Sequence, residues 1–351
     1  MDFTFTREQR EFQQQARSFL EHRFPPQVVA SLADSQEGWD VDSWEAIANL
    51  GWLGVSVPES EGGAGLTFLE EAILLEEFGH CLYPGPFMSS IGLARPAIPA
   101  DRLGGLAAGR SRWSVAMAAG SELVPDLAAV DAVVVERDRE LWVVPASGGL
   151  ERSIDSTRPM GRLSEVEGAE RLASGEEAAE LSAQLRIRKD AALAVEAVGV
   201  AQQVLEWGIE HARTREQFGR PIGSYHAVSH PLVDSFVELE LARSLSYWAA
   251  WCISAGHGQS EAAARAAYAS AVEAAVGTCE RVIQVHGGMG FTWASPLHRY
   301  YKRALWIEYF GGSPAMHRRD LARTLMTDAG AQSPDRGRQA TTAKGGSRPW
   351  A

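Results

Sequence analysis

Apolar residues recur at helical spacing through the first hundred residues of the chain. A capping-box pair at 6–9 predicts the start of a first helix, and similar pairs at 42–45 and 67–70 predict two more. Between the last two helices, the segment 57–65 reads Val-Pro-Glu-Ser-Glu-Gly-Gly-Ala-Gly, which predicts a tight loop because no helix tolerates so much glycine.

The hydrophobic period changes in the middle of the chain. Residues 113–118 predict a strand, and the apolar runs 132–136 and 141–144 predict a hairpin around a turn at 137–139. This β region spans roughly 110 to 165 and offers two to four recognisable strands. We therefore expect no more than a small barrel or sheet.

The last part of the chain returns to helical spacing and is rich in alanine. Long helices are expected at 185–214, 226–254 and 259–285, with a last one beginning near Ser313. Short links between long helices are typical of an antiparallel bundle. The predicted class is α+β, mainly α, in four parts: an N-terminal helical domain (1–109), a short β domain (110–170), a C-terminal four-helix bundle (171–328) and a disordered tail (329–351).

Composition and charge exclude several classes of function. The chain carries 33 basic and 45 acidic residues, a net charge of −12, which disfavours nucleic-acid binding. Its three cysteines are far apart and predict neither a disulfide framework nor a metal site. The N-terminus lacks a signal-peptide pattern and no apolar stretch is long enough to span a membrane, so the expected location is cytoplasmic.

Two motifs in the helical region carry candidate chemistry. The segment 213–223, Arg-Thr-Arg-Glu-Gln-Phe-Gly-Arg-Pro-Ile-Gly, follows a long helix, and its arginine fork and aromatic ring suit an anionic oxygen and a planar heterocycle. The segment 284–291, Gln-Val-His-Gly-Gly-Met-Gly-Phe, has glycines that let a backbone approach a pyrophosphate. Taken singly, each is also compatible with an ordinary helix end, and neither follows a strand as a Rossmann motif would.

Together and in this order, the two motifs resemble those of the acyl-CoA dehydrogenase family. That family has an R-x-x-F-G turn and a Q-x-x-G-G-x-G segment in its C-terminal helical bundle. The segment 58–65, Pro-Glu-x-x-Gly-Gly-x-Gly, and the order of the domains are also similar. The resemblance covers about residues 1–326 and implies FAD as the cofactor.

The resemblance implies that both motifs contact FAD that is held mainly by a neighbouring subunit. By position it assigns FAD contacts to eight residues: Arg215, Gln217, Phe218, Ile222, His226, Gln284, Gly287 and Gly288. The first three would face the pyrophosphate and adenine side, and the last three the ADP part. His226 departs from the family, which usually has glutamine there, but a histidine still donates one hydrogen bond.

The catalytic base of the family is missing from both of its usual places. The family's reaction needs a carboxylate to take the proton from the carbon α to the thioester. One place, a Tyr-Glu-Gly-Thr-like segment, here reads Tyr-Phe-Gly-Gly at 309–312, so Phe310 stands in the slot, and Glu308 is expected to point elsewhere. The other place falls near 189–190, Lys-Asp, again without a glutamate. No catalytic residue is assigned.

Two other acids lie near the second slot. Asp190 is adjacent to it and Glu196 follows two turns later on the same helix. Both are interpreted as charges on the helix surface, with a relocated base as the alternative.

The middle domain departs from the family as well. Where a T-E-P-x-x-G-S-D-like loop would bind the flavin, this chain has Ala-Gly-Ser-Glu at 119–122, and its tryptophan strand, 141–144, has no hydroxyl after it. The resemblance is therefore to the smaller, base-lacking subunits of heteromeric actinobacterial acyl-CoA dehydrogenases. It implies an α2β2 assembly with a catalytic partner, an electron-transfer flavoprotein or similar acceptor, and, by analogy, sterol-type substrates.

Two alternatives remain at this stage. The chain could be a self-sufficient homomeric flavoenzyme that uses Glu196 or Asp190 as a relocated base, or it could be a flavin-free scaffold.

Overall fold

The computed structural model describes residues 4–35, 38–116, 123–164 and 168–331, with side chains up to 326. The N-terminal helices in these ranges are α1 (Arg7–Arg23), α2 (Pro26–Ala33), α3 (Val41–Asn49), α4 (Phe68–His80) and α5 (Leu103–Ala107). The capping boxes expected for α1 and α4 are both formed, by Thr6 with Gln9 and by Thr67 with Glu70. Helix α3 begins two residues earlier than its acidic pair suggests, because Asp40 and not Asp42 is its N-cap.

The glycine-rich segment 57–65 is the tight loop that the sequence predicts. Gly62 and Gly65 have φ values of 82° and 64°, in the left-handed region that favours glycine. A Cβ atom on Gly63 would lie 2.1 Å from the carbonyl oxygen of Val57. Only glycine fits at that close approach, so position 63 requires glycine for the loop between α3 and α4 to keep this backbone conformation.

The β domain has more strands than the two to four expected. The described residues form β1 (Trp113–Ala116), β2 (Leu123–Pro125), β3 (Ala132–Arg137), β4 (Glu140–Pro145), β5 (Gly148–Glu151), β6 (Met160–Leu163) and β7 (Glu170–Ser174). One sheet has the order β1-β3-β4-β7 and the other has the order β2-β6-β5. The undercount has a physical reason: β2, β5 and β6 are only three or four residues long, and β2 and β5 show no alternating burial.

The predicted hairpin is formed by β3 and β4. Asp138 and Arg139 make its two-residue turn, with φ values of 51° and 64°, as a type I′ turn requires. Strand β7 pairs with β4 and crosses the expected domain boundary at 170.

The C-terminal part consists of long helices. They are α6 (Gly175–Thr214), α7 (His226–Ser254), α8 (Ser260–His286), α9 (Leu297–Gly311) and α10 (Pro314–Ala331). The sequence-based prediction omitted α9, and the first three residues of the Tyr-Phe-Gly-Gly segment are the end of this helix. It also began the tail at 329, whereas α10 continues to Ala331; the rest of the predicted tail lies outside the described residues. No helix in the described part of the chain is long and apolar enough to cross a bilayer.

Helices α4 and α6 cross at very close range. A Cβ atom on Gly79 would lie 2.4 Å from the carbonyl oxygen of Glu196, and one on Gly199 would lie 2.0 Å from that of Glu76. Each helix therefore presents a glycine to the backbone of the other. The crossing joins the N-terminal helices to the C-terminal bundle in one apolar core.

A buried cluster of charges joins the β domain to the bundle. Glu196 of α6 accepts hydrogen bonds of 2.6 Å from both Arg303 of α9 and Arg158 of the β domain. Arg303 also donates to Asp155, and Arg158 lies 3.9 Å from Asp126. All five side chains are no more than 2% exposed, so each charge depends on the others for compensation.

Asp126 makes the contribution of this cluster to the free energy of unfolding depend on pH. Burial raises its pKa to about 6, against the opposing effect of Arg158. Because the folded chain then holds this proton more tightly than the unfolded chain, the contribution to stability is present at low pH and is lost as pH rises from about 4 to 6. We expect acidification from pH 7 to pH 5 to add about 1 kcal/mol to the free energy of unfolding through this group, and Asp126→Asn to abolish that increment.

Thermal unfolding at the two pH values measures the effect. Asp138→Asn is the matched control, because Asp138 has the same left-handed backbone as Asp126 but lies in the hairpin turn. Equal pH dependence in wild type and Asp126→Asn would contradict the raised pKa.

Candidate functional site

The fold brings the two sequence motifs together. The first motif follows the C-terminal end of α6 and the second follows the C-terminal end of α8, and these two helices pack side by side. The rings of His211 and His286, one from each helix end, stack with centroids 4.1 Å apart. The pKa of His211 is lowered mainly by partial burial and further by the nearby His286 and Arg215, so this ring is neutral at pH 7. Sequence reasoning did not identify this histidine pair.

The first motif forms a small hairpin after α6. Its strands are β8 (Glu216–Gln217) and β9 (Arg220–Pro221), and its turn is Phe218-Gly219 with φ values of 52° and 78°. A left-handed phenylalanine is a rare and strained conformation, and such strain concentrates at functional sites. The Phe218 ring is 93% exposed. The hairpin therefore holds an aromatic face out to solvent.

The polar side chains of both motifs are also exposed. Arg215 and Gln284 make no ion pair or side-chain hydrogen bond with other residues that the structure describes, so the Arg215 guanidinium keeps its donors free. Gln217 differs, because its amide donates to the carbonyl oxygen of Glu216 at 2.7 Å and braces the hairpin.

The glycines of the second motif leave open space. Cβ atoms built on Gly287 and Gly288 would meet nothing within 4 Å, and Gly287 has a φ of 60°. Gly290 of the same motif is different, since a Cβ there would lie 2.7 Å from the carbonyl oxygen of Ile283. Gly290 therefore serves packing, whereas the first two glycines leave exposed backbone that a ligand can approach.

Ile222 and His226 complete the set expected from the sequence. Ile222 is half-buried and packs against the core, and the exposed His226 stacks on His230 with centroids 4.7 Å apart. The eight residues from Arg215 to Gly288 assigned above are called the motif patch from here on. Two more aromatic side chains, to which the sequence analysis assigned no contact, are exposed beside it: Phe291 is the last residue of the second motif and Trp293 lies two residues further on.

A separate cleft lies where the β domain meets α6 and α9. It has a volume of about 1060 Å³ and is bounded by residues of β5, β6, α6 and the end of α9. Phe310, in the slot of the missing base, lines it and stacks on Trp306 at 4.8 Å with an interplanar angle of 14°.

Lys189, at the second base position, lies beside the first. It lines the same cleft, and its ammonium donates to the carbonyl oxygen of Gly311 at 3.2 Å. The two places at which the family carries a carboxylate are therefore adjacent in space. Here they hold an aromatic ring and a cation.

Tyr268 and His317 clamp the turn at the end of α9. The Tyr268 hydroxyl donates to the carbonyl oxygen of Ile307 at 2.8 Å, and His317 Nε2 donates to that of Gly311 at 3.0 Å. A Cβ on Gly311 would lie 2.3 Å from the Tyr268 hydroxyl. The segment that replaces the base is thus rigidly built.

Three expectations about acidic residues were wrong. Glu308, expected to point elsewhere, lines the cleft. Glu196 and Asp190 were interpreted as helix-surface charges, but they are only 2% and 6% exposed. Both are buried because α6 is covered along its middle by other elements, which helical spacing alone does not reveal. Glu196 is held by two arginines, and Asp190 lies 3.1 Å from Lys189 and 3.4 Å from His317.

The β domain departs from the family at two segments, and one of them lies within the described residues. The segment 119–122 lies outside the described residues. Trp142 is half-buried, packs against the small core of the β domain and pairs in register with Val135.

The motif patch fits a nucleotide cofactor. An exposed guanidinium, a presented aromatic ring and an open glycine backbone are the groups that a pyrophosphate and an adenine need. These groups face outward, so the patch can complete a site on another chain.

Comparison with known proteins agrees with the resemblance. Residues 6–121 match the acyl-CoA dehydrogenase N-terminal domain, and residues 189–326 match the acyl-CoA dehydrogenase C-terminal domain. The acyl-CoA dehydrogenase IpdE2 of Mycobacterium tuberculosis is 32% identical over 81% of this chain and 86% of its own length. The acyl-CoA dehydrogenase FadE34 of the same organism is 30% identical over 86% of this chain and 45% of its own length.

Solved structures show the same fold. A variant of the Tcur3481-Tcur3483 steroid ACAD superposes with a TM-score of 0.83 at 27% identity, covering 92% of this chain and 99% of that one. The ChsE4-ChsE5 complex from Mycobacterium tuberculosis superposes with a TM-score of 0.83 at 24% identity, covering 93% and 99%. With both domain matches and these relatives, the chain belongs to the acyl-CoA dehydrogenase family, whose cofactor is FAD.

Proposed function

We propose that this chain is the non-catalytic subunit of a heteromeric acyl-CoA dehydrogenase and completes the FAD site of a catalytic partner. The observation that carries the proposal is the contrast between its two sites. The motif patch is exposed and fits FAD, whereas Phe310 and Lys189 occupy the places of the base in the chain's own cleft. A positioned base contributes about 10²–10⁴ in rate, so a chain without one is a poor dehydrogenase by itself.

FAD supplies the hydride acceptor of the reaction when it is bound. The part of this chain is to hold the cofactor: Arg215 binds a pyrophosphate oxygen, Phe218 covers the adenine, and the Gly287-Gly288 backbone admits the ADP part. His226 and Gln284 add hydrogen bonds at the edge. The proton on the carbon α to the thioester is taken by a carboxylate of the partner.

The relatives indicate what kind of assembly and substrate to test first. One similar structure is a steroid ACAD and another is a complex of two named proteins, ChsE4 and ChsE5. We extend both features to this chain as proposals: an α2β2 heterotetramer with a homologous partner, and a role in the oxidation of sterol-type acyl-CoA thioesters. An electron-transfer flavoprotein as acceptor and a cytoplasmic location belong to the same proposal.

A self-sufficient enzyme is the second candidate, and Glu308 is the observation that favours it. Glu308 lines the cleft, and its carboxylate makes no ion pair within the described residues. The acids first considered for this role are weaker candidates, because Glu196 is held by two buried arginines and Asp190 lies behind Lys189. Position argues against Glu308, since it lies two residues before the slot of the family's base, although it lines the same cleft as Phe310.

Counting flavin tests the proposal directly. We expect the chain purified alone to be colourless and inactive, and the assembly co-expressed with its partner to contain one FAD per pair of unlike chains. Absorbance at the flavin maximum, divided by protein concentration, gives the ratio. A yellow homomer that reduces a dye with acyl-CoA, and loses that activity in Glu308→Gln, would contradict the proposal and support the second candidate.

Removing the arginine of the motif patch tests its role. A charge-assisted hydrogen bond to a pyrophosphate oxygen contributes about 1.5–3 kcal/mol, so Arg215→Ala should weaken FAD retention in the assembly about ten- to a hundredfold. Equilibrium dialysis of the assembly against graded FAD measures the change. Arg137→Ala, at an exposed arginine of the β hairpin, is the control and should retain FAD like wild type. Equal retention in both variants would contradict the assignment.

Restoring the missing carboxylate tests whether the cleft is a dormant active site. We expect Phe310→Glu to add no acyl-CoA-dependent dye reduction to the assembly, because the ammonium of Lys189 beside the slot would pair with the new carboxylate. The double variant Phe310→Glu, Lys189→Met removes that cation and should also add no activity to that of the wild-type assembly, since the flavin belongs to the partner's site. Activity gained by the single variant would contradict this expectation, because the cleft would then differ from an active site of the family only by the missing carboxylate.

A further inference from the structure

Two helix ends meet where the two motifs of the motif patch begin. Gly208, near the end of α6, lets this helix approach α8 closely, because a Cβ atom there would lie 2.6 Å from Cγ2 of Val282. One turn further along each helix, the rings of His211 and His286 stack with an interplanar angle of 19°. The stacked pair therefore lies at the point where each helix leads into its motif.

Each histidine is tied to its motif through the backbone. The carbonyl oxygen of His211 accepts a hydrogen bond of 2.9 Å from the backbone N–H of Arg215, the residue that caps the end of α6. His286 is followed directly by Gly287, whose backbone N–H donates to the carbonyl oxygen of Gln284. A contact between the two rings consequently fixes the backbone of Arg215 relative to that of Gly287.

The two rings are held in different ways. The Nδ1 atom of His286 lies 2.9 Å from the carbonyl oxygen of Val282, and because a carbonyl oxygen only accepts, Nδ1 carries a proton and donates it. His211 makes no side-chain hydrogen bond with the other residues that the structure describes, so its ring is held by packing. Since its lowered pKa leaves His211 neutral at pH 7, no repulsion between two cations opposes the stack.

We propose that the stacked rings of His211 and His286 are a clasp that positions Arg215 against the Gly287-Gly288 backbone, so that both meet one FAD molecule. The two histidines are positioning residues, because they act on the cofactor through the arginine and the glycines. The identity of the ligand rests on the proposed function, whereas the clasp itself is a property of the free chain and can be measured there.

Hydrogen exchange of the full chain tests the clasp without FAD. His211→Ala removes the ring, whereas His211→Phe keeps an aromatic ring and removes its nitrogens. We expect amide exchange in the segment 284–291, on the other side of the stack, to be about three- to tenfold faster in His211→Ala and unchanged in His211→Phe. Mass spectrometry of peptic peptides measures the rates. Wild-type exchange in His211→Ala, or equal acceleration in both variants, would overturn the clasp.

His257→Ala is the matched control for the loss of a packed histidine ring. His257 lies in the link between α7 and α8, at the other end of α8, and its ring packs on Trp251 with centroids 5.6 Å apart. This variant should match wild type both in exchange at 284–291 and in FAD retention. An equal acceleration of exchange in His257→Ala and His211→Ala would indicate a general loss of stability and would count against the clasp.

FAD retention in the assembly tests the positioning role. We expect His211→Ala to weaken retention about three- to tenfold, and His211→Phe to stay within about twofold of wild type. Because a positioning residue acts through the group that it positions, the double variant His211→Ala, Arg215→Ala should lose little more than Arg215→Ala alone. Losses that multiply in the double variant would contradict the positioning role.

The two proposals fail in different ways. If Arg215→Ala retains FAD like wild type, the proposed function of the motif patch is wrong, and the role of the clasp in FAD binding is wrong with it. The clasp between the two helix ends is decided separately, by the exchange rates of the free chain. If Arg215→Ala loses FAD and His211→Ala does not, the motif patch binds FAD and the positioning role is wrong.

Discussion

The buried carboxylate of Glu196, held between Arg158 and Arg303, is the interaction on which the arrangement of the cleft depends. It links the middle of α6, a loop of the β domain and α9 in one contact. Arg158 also lies over the ring of Trp306, with its guanidinium carbon 5.1 Å from the centroid, so the cluster fixes a wall of the cleft. Breaking a buried pair of this kind costs about 3–5 kcal/mol because a charge is left without compensation.

Helix α6 connects the two sites and also separates them. Lys189 in the cleft and Arg215 beyond its last turn are about 39 Å apart along the axis at ~1.5 Å per residue. A molecule bound at one of these residues does not reach the other. The fold therefore allows the residues of the chain's own cleft to change without disturbing the motif patch, which is the pattern that the proposed division of roles requires.

Local signals predicted much of the fold. Capping boxes and a hairpin turn depend on neighbouring residues, and Thr6, Thr67 and the Asp138-Arg139 turn lie where the sequence places them. Helix α9 was missed, since its Arg299 and Arg303 look like surface charges but are buried against distant acids. The short strands β2, β5 and β6 depend on partners far along the chain, which no local pattern shows.

The two sites show the same contrast between local sequence signals and long-range packing. The exposed residues of the motif patch could be recognised from their order along the chain, because their chemistry lies in two short segments. The proximity of Lys189 to Gly311, and the cation that the cleft therefore contains, depends on how two distant helices pack. Burial of Glu196 and Asp190 could not be read from helical spacing for the same reason.

The left-handed Phe218 has a consequence for the life of the chain before assembly. A hairpin already folded around an exposed ring would lose little conformational freedom when the proposed partner covers it, which lowers the entropy cost of association. The same ring, with Phe291 and Trp293, leaves an adhesive surface on every unassembled copy. The proposed assembly would bury this aromatic surface, so the unassembled chain would be the more aggregation-prone form.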